Sequence, residues 1–157
     1  MVDVARSVGG FSASIKWPND VLGSSGAKVA GILAESGPDA VVVGIGLNLD
    51  YSADNLPDPR ATSWLIETGV LADRTEVLVG LLLRLYSRVN SDWADCLVDY
   101  RRLCSTIGST VRVTLPGGGE YSGVAVDVDD DGHLLVDDGQ SVRTVVAGDV
   151  VHATIAP

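Results

Sequence analysis

Four polar residues that could bind an anionic ligand stand beside apolar segments in the first fifty residues. Asn19 and Asp20 follow a proline, Lys28 precedes the apolar run 29–33, and Asn48 interrupts a second apolar run. Buried lysines are rare unless they are paired, so Lys28 is a candidate to hold a phosphate or a carboxylate. A nearby carboxylate such as Asp20 can hold Mg²⁺, which favours oxygen ligands and substrate phosphates. The alternatives are that Lys28 begins a strand and points to water, and that Asp20 only shapes a turn.

Two glycines and a further lysine lie close to these positions. Gly44 and Gly46 interrupt an apolar segment, where glycine weakens a strand and often marks the close approach of a ligand or another backbone. Their spacing does not match the dinucleotide fingerprint, because Leu47 and Asn48 stand where a third glycine and a helix should follow. The alternative for both glycines is tight packing against a helix. Lys16 ends a predicted strand and is either a site residue or a surface lysine.

Turn signals predict that these residues belong to a meander of strands. The predicted strands cover residues 13–17, 27–35 and 40–49, with residues 21 and 22 extended, and turns fall at 23–26 and 36–39. Residues 27–35 are mostly apolar, so we expect that strand to be buried on both sides. Closing the two turns places Lys28 opposite Val21 and Leu47. Asn19, Asp20, Lys28 and Asn48 then share one end of the meander, although a one-residue slip would change their faces.

The rest of the chain predicts helices followed by a small barrel. A short helix is predicted over 61–68, and Asp73 and Glu76 have capping-box spacing before an amphipathic helix. That helix continues or restarts near Ser91 and runs to about Leu103. Its apolar stripe comprises Val77, Leu78, Leu81, Leu82, Leu85 and Val89. From residue 108 onwards, short strands separated by glycine turns predict a small barrel, with a domain boundary near 104–108.

Composition excludes several classes of partner. With 11 Lys and Arg against 21 Asp and Glu, the net charge of −10 opposes non-specific binding to nucleic acid and to an anionic membrane surface. No apolar run reaches the ~18 residues of a membrane span, and residues 1–6 do not resemble a secretory signal. Cys96 and Cys104 do not form a disulfide framework and suggest reduced thiols in the cytoplasm.

The two histidines do not predict a metal site. His133 and His152 lack acidic or cysteine partners at ligand spacing. The acidic run at 127–131 lacks the glutamate that completes an EF-hand loop, so it is interpreted as a solvated hairpin tip.

Three ordered segments of the chain resemble the consecutive motifs of the biotin–protein ligases. The segments are Lys16–Val21, Lys28–Glu35 and Val43–Leu49, and their order and spacing also agree with the family. A weaker similarity continues through residues 61–63 and reaches 148–150, inside a segment similar to the family's SH3-like barrel. The resemblance implies an α+β fold with a mostly antiparallel sheet, class II synthetase-like and truncated at its N-terminus. It implies a partial catalytic domain at 1–104 and an SH3-like domain at 105–157.

The resemblance also implies an activity and a set of site residues. Members of the family use ATP and Mg²⁺ to convert biotin to biotinyl-AMP, then transfer biotin to a lysine of the biotin carboxyl-carrier domain of a carboxylase. By resemblance, Lys28 is the catalytic residue and contacts the biotin carboxyl and the α-phosphate. Asn19 and Asp20 would organise the nucleotide, with Asp20 at the metal, and Asn48 would contact the adenylate. Gly31, Gly44 and Gly46 would admit ligand to the backbone, and Lys16 is a motif residue with a smaller direct role.

The chain departs from the family upstream of these motifs. The family's Gly-Arg-Gly-Arg phosphate loop precedes the first motif, whereas this sequence contains no Gly-Arg dipeptide. Residues 2–9 have the pattern of a helix end, so we expect an upstream segment to be missing and this chain alone to have weak or absent ligase activity. Two alternatives stay open: a non-catalytic truncated homologue that binds a protein partner or itself as a homodimer, and a lipoate-type acyltransferase.

Overall fold

A computed structural model of the chain describes residues 1–115, 118–146 and 149–152. The chain divides into two compact units, Met1–Ser91 and Asp92–Pro157. One sheet has four strands and the other has five, and all of their pairings are antiparallel. Together with the helices, these sheets confirm the predicted α+β class. In the described part of the chain, no helix is long and apolar enough to cross a membrane.

The first unit is built on a meander of four strands in the order β1-β2-β3-β4. The short first helix and the buried residues Phe11 and Trp17 precede and flank β1 in the sequence. In chain order its elements are α1 (Val2–Ser7), β1 (Ser14–Lys16), β2 (Asp20–Leu22), β3 (Lys28–Ser36), β4 (Val41–Leu47), a 3₁₀ helix (Ala53–Asn55), α2 (Trp64–Thr68) and α3 (Arg74–Val89).

Both predicted hairpins form, but their strand registers differ from the prediction. Lys28 pairs with Leu22 and not with Val21, because the turn closes between Gly23 and Ala27, where the Gly23 N–H donates to the Ala27 carbonyl over 2.8 Å. Beyond Lys28, Val29 is an extra residue in a bulge that shifts the register of β3 again. Leu47 pairs with Ala30 and not with Lys28. The reason is that the turn lies at residues 37–40, where Gly37 N–H donates to the carbonyl of residue 40 over 2.8 Å. The partner predicted for Lys28 on β2 was therefore wrong by one residue, and the partner predicted on β4 was wrong by two.

Burial along β3 also differs from the prediction. Val29 and Ala30 are buried, but Leu33 is 60% exposed. The neighbouring strand β4 is open as well, with Val42 67% exposed. The prediction that β3 is buried on both sides was therefore wrong for the half of the hairpin nearest the turn. An apolar strand needs a covering layer on each face to be buried, and the strand's own sequence does not reveal that layer.

Helix α3 begins as predicted and packs by a narrow face. The Asp73 carboxylate caps the helix by accepting hydrogen bonds from the N–H groups of Thr75 and Glu76, at 2.8 and 3.1 Å. Val77 is the buried residue of the predicted apolar stripe, whereas Leu78 and Val89 are exposed. The helix packs against α1 where glycine replaces a side chain, since a Cβ at residue 80 would lie 3.4 Å from a methyl group of residue 8.

The second unit combines one helix with the five-stranded sheet. Its elements are α4 (Trp93–Leu103), β5 (Thr110–Thr114), β6 (Glu120–Val128), β7 (Leu134–Asp137), β8 (Val142–Val145) and β9 (Asp149–His152), and the strand order is β8-β7-β6-β5-β9. The structure confirms the short strands predicted from residue 108 onwards. Inward-facing residues of the strands form the core; they include Val111, Val113, Val128, Leu134 and Val136.

Helix α4 belongs to this second unit because its side chains bond to the β6–β7 hairpin. Arg101 Nε donates to the carbonyl of Val128 over 2.7 Å, and the Trp93 indole N–H donates to the carbonyl of Asp130 over 2.9 Å. The compact unit therefore starts before the domain boundary predicted near residues 104–108. That boundary, which separates a catalytic domain from an SH3-like domain, stays a prediction.

Candidate functional site

The predicted site residues form a row across the four-stranded sheet. Lys16 pairs with Asp20, Asp20 pairs with Gly31, and Gly31 pairs with Gly46. Directly opposite residues of antiparallel strands project from the same face of a sheet. These four positions therefore share one face, which turn spacing alone did not resolve.

Lys28 reaches into this row through its long side chain. Its Nζ lies 2.5 Å from Asp20 Oδ1, and a Cβ added to Gly31 would lie 3.1 Å from the same Nζ. The ammonium group therefore rests above the backbone of Gly31, where any larger residue would displace it. The Lys28 side chain is 46% exposed and that of Asp20 is 21% exposed. An ion pair this exposed stabilises a fold by only ~0–1 kcal/mol, so stability does not explain it.

The backbone of Lys28 is held by a segment that follows β4. Its N–H donates to the carbonyl of Arg60 over 3.0 Å, and its carbonyl accepts from the N–H of Thr62 over 2.8 Å. The segment thus pairs with Lys28 as a short parallel bridge centred on Ala61. Sequence reasoning missed this contribution, although residues 61–63 fall within the weaker part of the family similarity.

Asn48 joins β3 to the same segment. Its Nδ2 donates to the carbonyl of Thr62 over 3.0 Å and lies 3.5 Å from the carbonyl of Lys28. Its own backbone N–H donates to Val29 and its carbonyl accepts from Trp64. Asn48 therefore lies at the Lys28 end of the sheet, as expected from turn spacing despite the register errors.

Asn19 lies beside Asp20 and fixes the loop between β1 and β2. Its Nδ2 donates to the carbonyl of Ile32 over 2.6 Å, and its carbonyl accepts from the N–H of Ile32 over 2.9 Å. Both bonds hold the neighbouring Asp20 in place opposite Gly31. Asn19 therefore lies opposite the middle of β3 and not at its Lys28 end, so its predicted place in the cluster was wrong; it adjoins the cluster only as the neighbour of Asp20.

Gly44 and Gly46 are not explained by packing within the described residues. A Cβ at Gly44 would meet a carbonyl oxygen of Leu33 at 3.9 Å, and one at Gly46 would meet the carbonyl oxygen of Gly31 at 3.9 Å. Both distances are ordinary contacts. Within the ranges that the structure describes, no helix packs tightly on either glycine, so that alternative is wrong there. The face above these glycines is open to a ligand or to another segment.

The chain is similar to known biotin protein ligases. Residues 106–153 match the family model described as the biotin protein ligase C terminal domain. A biotin–[acetyl-CoA-carboxylase] ligase of Mycobacterium tuberculosis is 47% identical over 143 residues, which cover 88% of this chain and 52% of the relative. The chain carries a biotin protein ligase C-terminal region. It spans about half the length of that relative.

Solved biotin protein ligases have the same fold. An apo biotin protein ligase from Aquifex aeolicus superposes with a TM-score of 0.84 at 24% identity, covering 97% of this chain and 71% of that one. The enzyme from the same organism in complex with biotin and ATP gives a TM-score of 0.80 at 25% identity, covering 96% and 66%. The biotin protein ligase fold therefore extends over nearly the whole of this chain.

A charged pair, Asp58 and Arg60, lies beside Lys28. Arg60 donates to the Asp58 carboxylate through Nε and Nη2, at 3.2 and 2.9 Å, and through its backbone N–H at 2.7 Å. Hydrogen bonds from the Arg60 side chain and backbone lower the pKa of Asp58 to about 2, with Lys28 adding a smaller effect in the same direction. The Arg60 side chain is 83% exposed, so it remains accessible to an anion.

Two carboxylates and a histidine cluster in the second unit. Asp129, Asp131 and His133 bring one potential ligand atom each to within 4.8 Å of one another, and His133 Nδ1 is 3.1 Å from Asp129 Oδ2. The prediction that His133 lacks an acidic partner was therefore wrong. The reason is local: the turn closes between Asp129 and His133, whose backbones are hydrogen-bonded over 2.9 Å, so residues four apart become neighbours. His152 was predicted to have no metal role, and its side chain lies outside the described residues.

Proposed function

We propose that the chain is part of an ATP-dependent biotin–protein ligase that forms biotinyl-AMP and transfers biotin to a lysine of a carboxylase carrier protein. The observation that supports this most directly is the Lys28 ammonium held above Gly31 and beside Asp20 on an open sheet face. The three residues lie in the segments that resemble the family motifs. The names of the relatives supply the reaction, because the chain alone spans about half of the Mycobacterium tuberculosis ligase.

The first step joins two anions, biotin and ATP, and a fixed cation favours this step by offsetting their negative charge. A biotin carboxylate oxygen attacks the α-phosphorus of ATP, the bond from that phosphorus to the bridging oxygen breaks, and pyrophosphate leaves with its electron pair. Negative charge increases on the α-phosphate in the transition state, and a positioned ammonium group stabilises that charge. We assign this role to Lys28, whose Nζ can leave Asp20 for a more highly charged partner.

The remaining residues of the row are assigned to binding. Because Gly31, Gly44 and Gly46 have no side chains, nothing projects from the sheet at these positions, and the adenylate can lie against the backbone. Asn48 is assigned to the adenylate and also orients the segment that holds Lys28, through its bond to Thr62. Asn19 is assigned to the nucleotide through the position that it gives Asp20. Lys16 shares the face and adds positive charge at its edge.

Magnesium fits this site as an ion shared with substrate. Mg²⁺ in phosphoryl-transfer sites is typically held by one or two carboxylates together with substrate phosphates. Asp20 supplies one carboxylate at the sheet face, and its Oδ1 faces Lys28. When bound, the ion neutralises charge on the phosphates. In this chain Asp20 would hold it, which requires the Lys28 ammonium to turn from Asp20 towards the phosphate.

The second step is an acyl transfer to a protein. The neutral amine of a carrier lysine attacks the carbonyl carbon of biotinyl-AMP, the bond to the phosphate oxygen breaks, AMP leaves, and the amine loses a proton. The carrier domain of a carboxylase is the proposed partner. Cys96 and Cys104 do not form a disulfide, which supports the cytoplasm as the proposed compartment.

Titration of the chain with three nucleotides tests the proposed function. Biotinyl-AMP, lipoyl-AMP and AMP are each titrated into the purified chain by calorimetry. We expect biotinyl-AMP to bind more tightly than AMP, because Lys28 and the glycine face contact the acyl-phosphate junction. A preference for lipoyl-AMP would support the lipoate-type alternative. Equal binding of all three, or none, would contradict the proposal and leave the partner-binding homologue, which sedimentation analysis of self-association examines.

A further inference from the structure

Glu67 joins two segments that flank Lys28, although it belongs to none of the family motifs. Its Oε2 accepts a hydrogen bond from the Ser24 N–H over 2.9 Å, across 43 residues of sequence. Its Oε1 accepts a hydrogen bond from the Thr62 hydroxyl over 3.0 Å. Ser24 lies in the turn before β3, and Thr62 lies in the segment that pairs with Lys28. One carboxylate therefore ties both supports of the lysine together.

Thr62 transmits this contact to Lys28. The residue is 3% exposed, and its N–H donates to the Lys28 carbonyl over 2.8 Å. Its own carbonyl accepts from Asn48 Nδ2 over 3.0 Å. Because the hydroxyl, the N–H and the carbonyl of Thr62 are all engaged, releasing the hydroxyl loosens the segment against which the Lys28 backbone is fixed.

The β2–β3 turn is shaped to accept the Glu67 carboxylate. A Cβ at Gly23 would lie 2.5 Å from Glu67 Oε1, far inside van der Waals contact. Gly23 N–H donates to the Ala27 carbonyl over 2.8 Å, which closes the turn immediately before Lys28. Glycine at this position therefore leaves room for the Glu67 carboxylate, which in turn holds the turn through its hydrogen bond from Ser24.

We propose that Glu67 is a positioning residue for Lys28. Glu67 is linked to Lys28 indirectly, by its hydrogen bond to Thr62 on one side and by its hydrogen bond to the Gly23–Ser24 turn on the other. Through these two links it sets where the Lys28 ammonium group lies above Gly31. The effect on ligand rests on the proposed function, whereas the effect on the Lys28 backbone does not. No role in touching substrate is assigned to Glu67.

The first test uses the chain without ligand. Glu67→Ala and Glu67→Gln are compared with Glu76→Ala, which removes an exposed carboxylate from α3, by amide hydrogen exchange. In Glu67→Ala we expect the Lys28 and Thr62 amides to exchange about tenfold faster, the loss of one ordinary hydrogen bond, while amides of α3 keep their rates. Glu67→Gln retains one acceptor and is expected to fall between. Unchanged Lys28 and Thr62 amides in both variants would overturn the proposal, as would equal acceleration of every amide in the unit.

The second test is a double-mutant cycle read by biotinyl-AMP affinity. We expect Glu67→Ala to weaken binding about tenfold when Lys28 is present and to have an effect below about twofold in the Lys28→Ala background. An equal loss in both backgrounds would overturn the proposal, because Glu67 would then act on ligand by another route. If the unmodified chain does not bind biotinyl-AMP, the proposed function fails, and the exchange experiment still decides the role of Glu67.

Discussion

Substitution of Gly31 by alanine should separate the site from the stability of the fold. The added methyl carbon would lie 3.1 Å from Lys28 Nζ, 3.2 Å from Cε and 3.5 Å from Asp20 Oδ1. The first two atoms are the far end of a flexible side chain, so the lysine can move away without a shift of the backbone. We therefore expect a displaced ammonium group in a folded protein.

The two free-energy changes differ in size. Loss of an ion pair this exposed costs ~0–1 kcal/mol, and replacing glycine by alanine at an unstrained position returns about 0.4–1 kcal/mol by restricting the unfolded chain. The free energy of unfolding should therefore change by less than about 1 kcal/mol. A hydrogen bond to a charged group contributes ~1.5–3 kcal/mol, so losing the Lys28 contact to an adenylate should weaken binding roughly tenfold to a hundredfold.

Urea unfolding and calorimetric titration with biotinyl-AMP measure the two changes on the same preparation. Gly37→Ala is the matched control, because a Cβ there meets its nearest neighbour, the carbonyl oxygen of Ala40, at 3.4 Å in the β3–β4 turn. We expect the control to keep both stability and affinity. Undiminished affinity of Gly31→Ala would refute the placement of ligand beside Lys28. A loss of stability well above 1 kcal/mol would refute the view that only a side-chain tip must move.

Three further predictions concern single groups. By NMR, the Asp58 carboxyl should titrate with a pKa of about 2, and nearer its ordinary value in Arg60→Ala. Because the pKa is lower in the folded state, any stability from this pair is lost as pH falls from about 4 towards 2. An unchanged Asp58 titration midpoint in Arg60→Ala would contradict the role of Arg60 in lowering this pKa. Burial raises the pKa of the Tyr100 phenol, so the neutral form is favoured in the folded state and stability should fall as pH rises above about 10, a dependence that Tyr100→Phe should reduce in urea unfolding. Asp73→Ala removes the cap of α3 and should lower the free energy of unfolding by about 1 kcal/mol, whereas Asp73→Ser should retain most of it; equal losses would argue against capping.

The sequence predicted which residues meet but not how the strands align. The side chains of Asp20 and Asn48 both reach Lys28 because turn residues limit where each hairpin closes, whereas Asn19 lies opposite Ile32 in the middle of β3. Both turns close one residue later than predicted, between Gly23 and Ala27 and between Gly37 and Ala40, so the predicted partners of Lys28 were wrong. The shared face of Lys16, Asp20, Gly31 and Gly46 follows only from the observed register.

Contacts between distant segments were the part that could not be predicted. Glu67 reaches Ser24 across 43 residues, and nothing in either local pattern distinguishes these residues from surface polar groups. Burial was equally inaccessible, as Leu33 belongs to an apolar run and is nevertheless 60% exposed. Periodicity reports which face of an element is apolar, whereas packing depends on the elements that reach it.

Calorimetric titration of the chain with biotinyl-AMP, with and without Lys28, tests whether the Lys28 ammonium binds the adenylate. Lys28→Ala is compared with Arg84→Ala, which removes one positive charge from an exposed position of α3. We predict that the unmodified chain and Arg84→Ala bind alike, and that Lys28→Ala binds roughly tenfold or more weakly, as expected for a charge-assisted contact. Binding that Lys28→Ala leaves intact, or no binding by any of the three, would contradict the assignment of Lys28 to a biotinyl-AMP site.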